Sequence, residues 1–211
     1  SIFNLASELP PGLTHLNLRQ HPFTIVPLES KHFEAAFPVN ITTLELSTFA
    51  LTSERWGFGT VGQKLTTLEL ASCAPSARLF LPASLTKLYV HSMNPFNPSS
   101  ESDEEPTWPK GLKSLIVDDS VSHVLPGTPS LTHFRHNAFH DPWTNFDSKT
   151  ILHSLSRFSK ELVYLDFPTT RLNEFNLDIL PETLMHINLF DIYLDGSSLP
   201  DDLDTLTSIQ E

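Results

Sequence analysis

The chain is poor in the residues that mark several common functional classes. It has one cysteine, Cys73, in 211 residues. A single thiol excludes an internal disulfide and any cysteine-rich zinc site. Glycine is scarce at 7, and no G-x-G-x-x-G or P-loop spacing occurs, so a glycine-rich phosphate cradle is not expected. Basic residues are in deficit, with 13 Lys and Arg against 25 Asp and Glu, a formal net charge of -12. Such a chain repels a phosphate backbone, so nucleic acid is not an expected partner. No apolar run reaches the roughly 18 residues that a membrane-spanning helix needs. Ser1-Ile2-Phe3-Asn4 has neither the basic start nor the apolar core of a signal peptide. With the lone cysteine, this points to a cytoplasmic chain. No G-x-S-x-G elbow is present, and neither catalysis nor a cofactor is expected.

What is abundant is leucine in one recurring order. Leu13-Thr14-His15-Leu16-Asn17-Leu18 is followed by Ile41-Thr42-Thr43-Leu44-Glu45-Leu46 and Leu65-Thr66-Thr67-Leu68-Glu69-Leu70. Further copies begin at Leu85, Leu112, Leu131, Leu162 and Leu184, and a fading one at Leu203. Leu9-Pro10, Phe37-Pro38, Leu81-Pro82, Trp108-Pro109, Leu180-Pro181 and Leu199-Pro200 each place a proline three residues before such a unit. Most spacings between starts fall in or near the ~20–29 residues of a known repeat class.

This order resembles leucine-rich repeat proteins over about Leu9 to Leu206. The Leu-Pro-x-x-Leu-x-x-Leu-x-Leu form is similar to the bacterial-effector type and to the FNIP type, whose Phe-Asn pair has counterparts in Phe3-Asn4 and Phe175-Asn176. The resemblance implies an α/β fold: a right-handed solenoid of about nine irregular repeats, with a parallel concave sheet and helical or irregular connections behind it. It treats residues 1–211 as a single array, complete or part of a longer one. It also implies recognition of a partner protein through the concave face, as in the substrate-selecting part of a ligase or signalling protein. The alternative is an assembly subunit contacting its neighbours through ends and loops.

Period-two alternation turns the leucines of each unit inward and stacks them on neighbouring repeats. The proline, which lacks a donor, suits the entrance of the strand. One departure from the repeat class follows the strand. The slot three residues after the last Leu, usually Asn, holds His21, Phe49, Cys73, Met93, Ser120, Phe139, Thr170 and Ile192. Apolar packing is expected to hold the turns instead, with Cys73 as a structural thiol. Helical spacing is expected from Glu29 to Phe37 and from Ser148 to Phe158. Residues 94–107 read as a protruding acidic loop, and Ser102 before Asp103-Glu104-Glu105 would suit an acidophilic kinase.

Outward strand positions carry the candidate partner contacts: Lys87, Tyr89 and His91; Ile116; His133 and Arg135; Tyr164 and Asp166. Together they form a basic, aromatic strip on an acidic chain. His133-Phe134-Arg135-His136 with His140-Asp141 has the look of a zinc cluster. The register sends His133 out and His136 in, so no metal site is expected. Glu45 and Glu69 should lie side by side, which the shared Thr-Thr-Leu-Glu-Leu unit explains without carboxylate-pair chemistry.

Overall fold

The computed structural model describes residues 9–19, 26–28, 38–51, 55–58, 61–75, 78–91, 108–118, 130–137, 160–166 and 180–188. Their strands are β1 (His15–Arg19), β2 (Val26–Leu28), β3 (Thr43–Ser47), β4 (Phe49–Leu51), β5 (Arg55–Gly57), β6 (Thr67–Ala71), β7 (Ala74–Pro75), β8 (Arg78–Phe80), β9 (Lys87–His91), β10 (Ser114–Asp118), β11 (His133–Asn137), β12 (Tyr164–Asp166) and β13 (His186–Asn188). Eight of these form one parallel sheet in the order β1-β3-β6-β9-β10-β11-β12-β13. Every sheet strand begins two residues after the first Leu or Ile of a repeated unit. The pairing keeps equivalent positions in line, with Leu44 opposite Leu68 and Leu88 opposite Leu115. The result is a parallel sheet arranged as a solenoid.

The core follows from that alignment. Ile41, Leu65, Leu85, Leu112, Leu131 and Leu162 lead into the strands and are fully buried. Leu44 and Leu46, Leu68 and Leu70, Leu88 and Val90, Leu115 and Val117, and Phe134 join them. Each repeat contributes a layer that neighbouring layers cover, so burial is shared between neighbours. At the ends, Leu16, Leu18, Leu184 and Ile187 are only partly buried.

The proline offset has a bonding cause. Leu13, Ile41, Leu85, Leu112 and Leu184 each donate a backbone N–H to the carbonyl of the proline three residues earlier, at 3.0–3.3 Å. Proline opens a β-turn whose last residue is the first inward side chain. Its acceptor, as well as its missing donor, sets the spacing.

Two columns of side chains then tie most of these turns to the previous repeat. Thr42, Thr66 and Thr86 donate Oγ1 to the carbonyls of Thr14, Thr42 and Thr66, and Thr132 does so to Lys113. Two residues earlier, Ser84, Ser130 and Thr183 place a hydroxyl between two carbonyls of the preceding turn, those of Gly62 and Leu65, Lys110 and Leu112, and Lys160 and Leu162. Asn40 reaches Pro11 O, and Lys64 in turn reaches Asn40 Oδ1. These columns provide polar cross-links at the strand entrance, where the repeat class resembled in the sequence has its asparagine after the strand.

At the strand exit, Thr48 and Ser72 take left-handed backbone angles, φ 66° and 51°. They stand at equivalent positions of adjacent repeats and bend the chain while keeping the ladder. Thr48 N bonds Ala71 O at 2.9 Å, and Ser72 N bonds His91 O at 2.8 Å. The bend turns Phe49 and Cys73 into the core, as apolar packing at this slot requires. Cys73 also bonds the carbonyls of Leu46, in the preceding repeat, and Ala71, at 3.4 and 3.6 Å. Burial pushes its thiol pKa up, partly offset by backbone hydrogen bonds to Phe49, Ala71 and Thr48. The other slots of this column lie outside the described residues.

Beyond the bend the chain forms short strands: β2-β4-β7 in one sheet and β5-β8 in another. Helix is limited to a three-residue 3-10 turn, Val61–Gln63, among the described residues. The expected helices at 29–37 and 148–158 lie outside them, as do the acidic segment 94–107 with Ser102 and the ninth unit at Leu203.

Candidate partner-binding face

Register organises the outer face of the large sheet into rows. One row runs His15, Thr43, Thr67, Lys87, Ser114, His133, Tyr164, His186. The next runs Asn17, Glu45, Glu69, Tyr89, Ile116, Arg135, Asp166, Asn188. All eight candidate contacts therefore fall on four adjacent strands, β9 to β12. Lys87, His133 and Arg135 are exposed, and Tyr89, His91, Ile116 and Tyr164 are half-buried.

Asp166 departs from the expectation of an exposed contact. It occupies an outward position, yet it is only 2% exposed. Two neighbours hold its Oδ2: Arg135 Nε at 3.2 Å and Tyr164 Oη, which donates at 3.2 Å. Its Oδ1 has no hydrogen-bond partner among the described residues. Asp166 thus positions its neighbours instead of meeting solvent. Desolvation, then the charge and hydrogen bond of Asp166, push the Tyr164 phenol pKa above its ordinary value; Arg135 opposes them.

His133 stacks on Tyr164 with ring centroids 5.7 Å apart, and His186 lies over the other side at 6.3 Å. The Thr132 hydroxyl fixes the His133 tautomer. Its one proton goes to Lys113 O at 3.0 Å, so at the 2.9 Å contact His133 Nδ1 is the donor. A neutral His133 therefore keeps its lone pair on Nε2. His136, two residues past Phe134, is fully buried. The two histidines diverge as the register requires. No group of three or more metal-ligating side chains occurs among the described residues; His140 and Asp141 lie outside them.

The other end of the face has its own polar cluster. Glu45 and Glu69 are paired in register. Arg19 Nη2 lies 3.4 Å from Glu45 Oε2, Asn17 Nδ2 donates to that same oxygen, and Arg19 Nε bonds Asn17 Oδ1 at 3.2 Å. Glu69 has no ion pair among the described residues. Asn17, Arg19 and His186 extend the face beyond the residues singled out from the middle repeats. Each stands at an outward position, the third, fifth or seventh residue counted from the first Leu of its unit, so applying that alternation to the end units would have found them.

Away from this face, Phe58, Gly62, Gln63, Phe80, Pro82, Ala83 and Ser84 line an open groove of about 450 Å³. No helix of the described residues is long and apolar enough to cross a membrane. No protein-family model, curated protein or solved structure matches the chain.

Proposed function

We propose that the chain is a leucine-rich repeat array, a right-handed solenoid, that recognises a partner protein through the outer face of its large sheet. Lys87, Tyr89, His91, Ile116, His133, Arg135 and Tyr164 make the contact, and Asp166 holds part of it in place. One observation carries this reading. In register on adjacent rigid strands stand an exposed lysine, a half-buried tyrosine and a half-buried isoleucine. Lys87 and Tyr89 form no hydrogen bond or ion pair among the described residues, so their bonding capacity is free. Tyrosine and arginine over a rigid support are favoured hot-spot chemistry.

The test is affinity capture with the full chain against a Lys87→Ala, Tyr89→Ala double variant. Neither side chain has a hydrogen-bond or ion-pair partner among the described residues, so the circular dichroism spectrum should be unchanged. Loss of a specifically captured protein is expected; equal capture by both forms refutes the reading. An assembly role is favoured by a different observation: Met185, just before the last described strand, is 70% exposed. That reading expects a concentration-dependent mass in light scattering that Met185→Lys abolishes.

A further inference from the structure

Building on the proposed face, we infer that Arg135 is its anchor and that the partner group it receives is a carboxylate on an acidic peptide segment. Three features lead there. First, Arg135 is held but not consumed. Its Nε is engaged by Asp166, while its Nη groups form no hydrogen bond or ion pair among the described residues, and the side chain stays 47% exposed. A guanidinium fixed at Nε presents its Nη pair as a fork that matches a carboxylate.

Second, the support is rigid. The Asp166 side chain is 3% exposed, and Tyr164 donates to the same oxygen that Arg135 contacts. Tyr164 is itself stacked against His133. Ordering a long arginine before binding removes rotamer entropy that association would otherwise cost. Asp166 and Tyr164 are positioning residues in this arrangement.

Third, the charge that the two rows carrying Lys87 and Arg135 offer to solvent on β9 to β12 is cationic. On β9 to β12 the described side chains that offer charge to solvent are Lys87 and Arg135, with His91 and His133 beside them. Of the two carboxylates on these strands, Asp166 is buried and engaged, and Asp118 stands at the end of β10, opposite Asn137 in the next row from Arg135. On a chain of net charge -12 this is a cationic island. Complementarity selects an anion, and the island's small extent selects a short acidic segment over a polyphosphate backbone, which the rest of the chain repels.

A random-peptide display library selected against the full chain tests this. The selected peptides should be enriched in Asp or Glu at one position. Changing that Glu to Gln in a synthetic peptide should weaken binding by about tenfold or more. Against Arg135→Gln the same peptide change should cost little, because its contact is already gone. Arg135→Lys keeps the charge without the fork and should restore only part of the affinity. Asp166→Asn should weaken the Glu peptide and leave the Gln peptide unchanged, a selectivity that general loosening of the fold would not produce.

Because the peptide is changed as well as the protein, a poorly folding Arg135 variant does not remove the test. Peptides without acidic enrichment, or a Glu-to-Gln change with equal effect on wild type and Arg135→Gln, overturn the carboxylate assignment. If such peptides still lose binding on Lys87→Ala with Tyr89→Ala, the face stands and only its chemistry is wrong. If they ignore that pair too, or no binder emerges, both fall. A labelled oligothymidylate that displaces the peptide with the same Arg135 dependence also overturns the assignment.

Discussion

The two ends of the sheet face solve one problem differently. Each carries an arginine, a carboxylate and a third polar group. At β1 and β3 these are Arg19, Glu45 and Asn17, and the paired side chains are 70% and 32% exposed. At β11 and β12 they are Arg135, Asp166 and Tyr164, with the pair 47% and 3% exposed. Water still solvates Glu45, so its pair adds little to stability and weakens in salt. Asp166 has lost most of its water, so its partners must replace it. The strand entrances differ in the opposite sense. The first repeats have unbroken threonine cross-links through Thr42, Thr66 and Thr86. Later repeats have Lys113, Thr132, Val163 and Met185 in that column, so only Thr132 continues it. Repeats can be joined at the turn or across the face, and the threonine joints are densest in the first repeats.

The comparison can be broken most severely at Arg135. Arg135→Ala leaves a buried carboxylate with Tyr164 as its remaining donor. A buried pair so broken costs ~3–5 kcal/mol; with arginine half in water, about 2–3 kcal/mol is expected in urea unfolding. A loss no larger than that of Arg19→Ala would erase the difference between the ends.

A smaller effect of opposite sign is expected at Gly111, where the serine column has a gap. A Cβ there would lie 3.9 Å from Leu85 O and 4.0 Å from Ala83 O, without a clash. These carbonyls correspond to the two that Ser130 bonds in the next repeat. Gly111→Ser should raise stability by about 1 kcal/mol, read as an upward shift of the thermal midpoint. A downward shift would show that the column does not transfer between repeats.

Thr66→Val removes one cross-link from the first repeats and should cost about 0.5–1 kcal/mol in the same unfolding assay. Arg19→Ala should change stability by no more than ~0.5 kcal/mol, and molar salt should cancel even that. The smallest effect is expected in alkali. Since the Tyr164 phenol titrates above its ordinary value of 10.0, an unfolded chain releases that proton first as pH rises. Its contribution is present below that value and lost above it. Tyr164→Phe should flatten the alkaline loss of stability, whereas Asn17→Ala, at a group that does not titrate, should leave its slope unchanged.

The register of the large sheet was legible because it is written in period-two leucines. Each inward Leu in Leu-Thr-Thr-Leu-Glu-Leu fixes the direction of its neighbours, so the rows of Lys87, Tyr89 and Ile116 could be laid out in advance. The divergence of His133 and His136 followed from the same rule. Other features depended on partners distant in sequence. Asp166 occupies an outward position, and alternation carries no sign that Arg135 and Tyr164 would close over it. The short strands behind the bend depend on left-handed Thr48 and Ser72, which are not residue types that announce such a conformation. The entrance columns were half visible: threonine recurs after the first Leu at Thr14, Thr42, Thr66, Thr86 and Thr132, but its bonds form only once repeats stack.

That stacking gives the array a seam. In a one-dimensional chain of repeats, cooperativity is set by the weakest junction as well as the mean. Between β9 and β10, the two column positions of the incoming turn hold Gly111 and Lys113, and neither offers a hydroxyl to the repeat before it; Glu161 and Val163 leave the same gap between β11 and β12. At the junction of β9 and β10, amide exchange should proceed sooner than between β3 and β6. The proposed contact surface straddles it, with Tyr89 on one side and Ile116 on the other. A partner lying across both would act as a clamp, coupling two blocks of repeats that otherwise breathe separately.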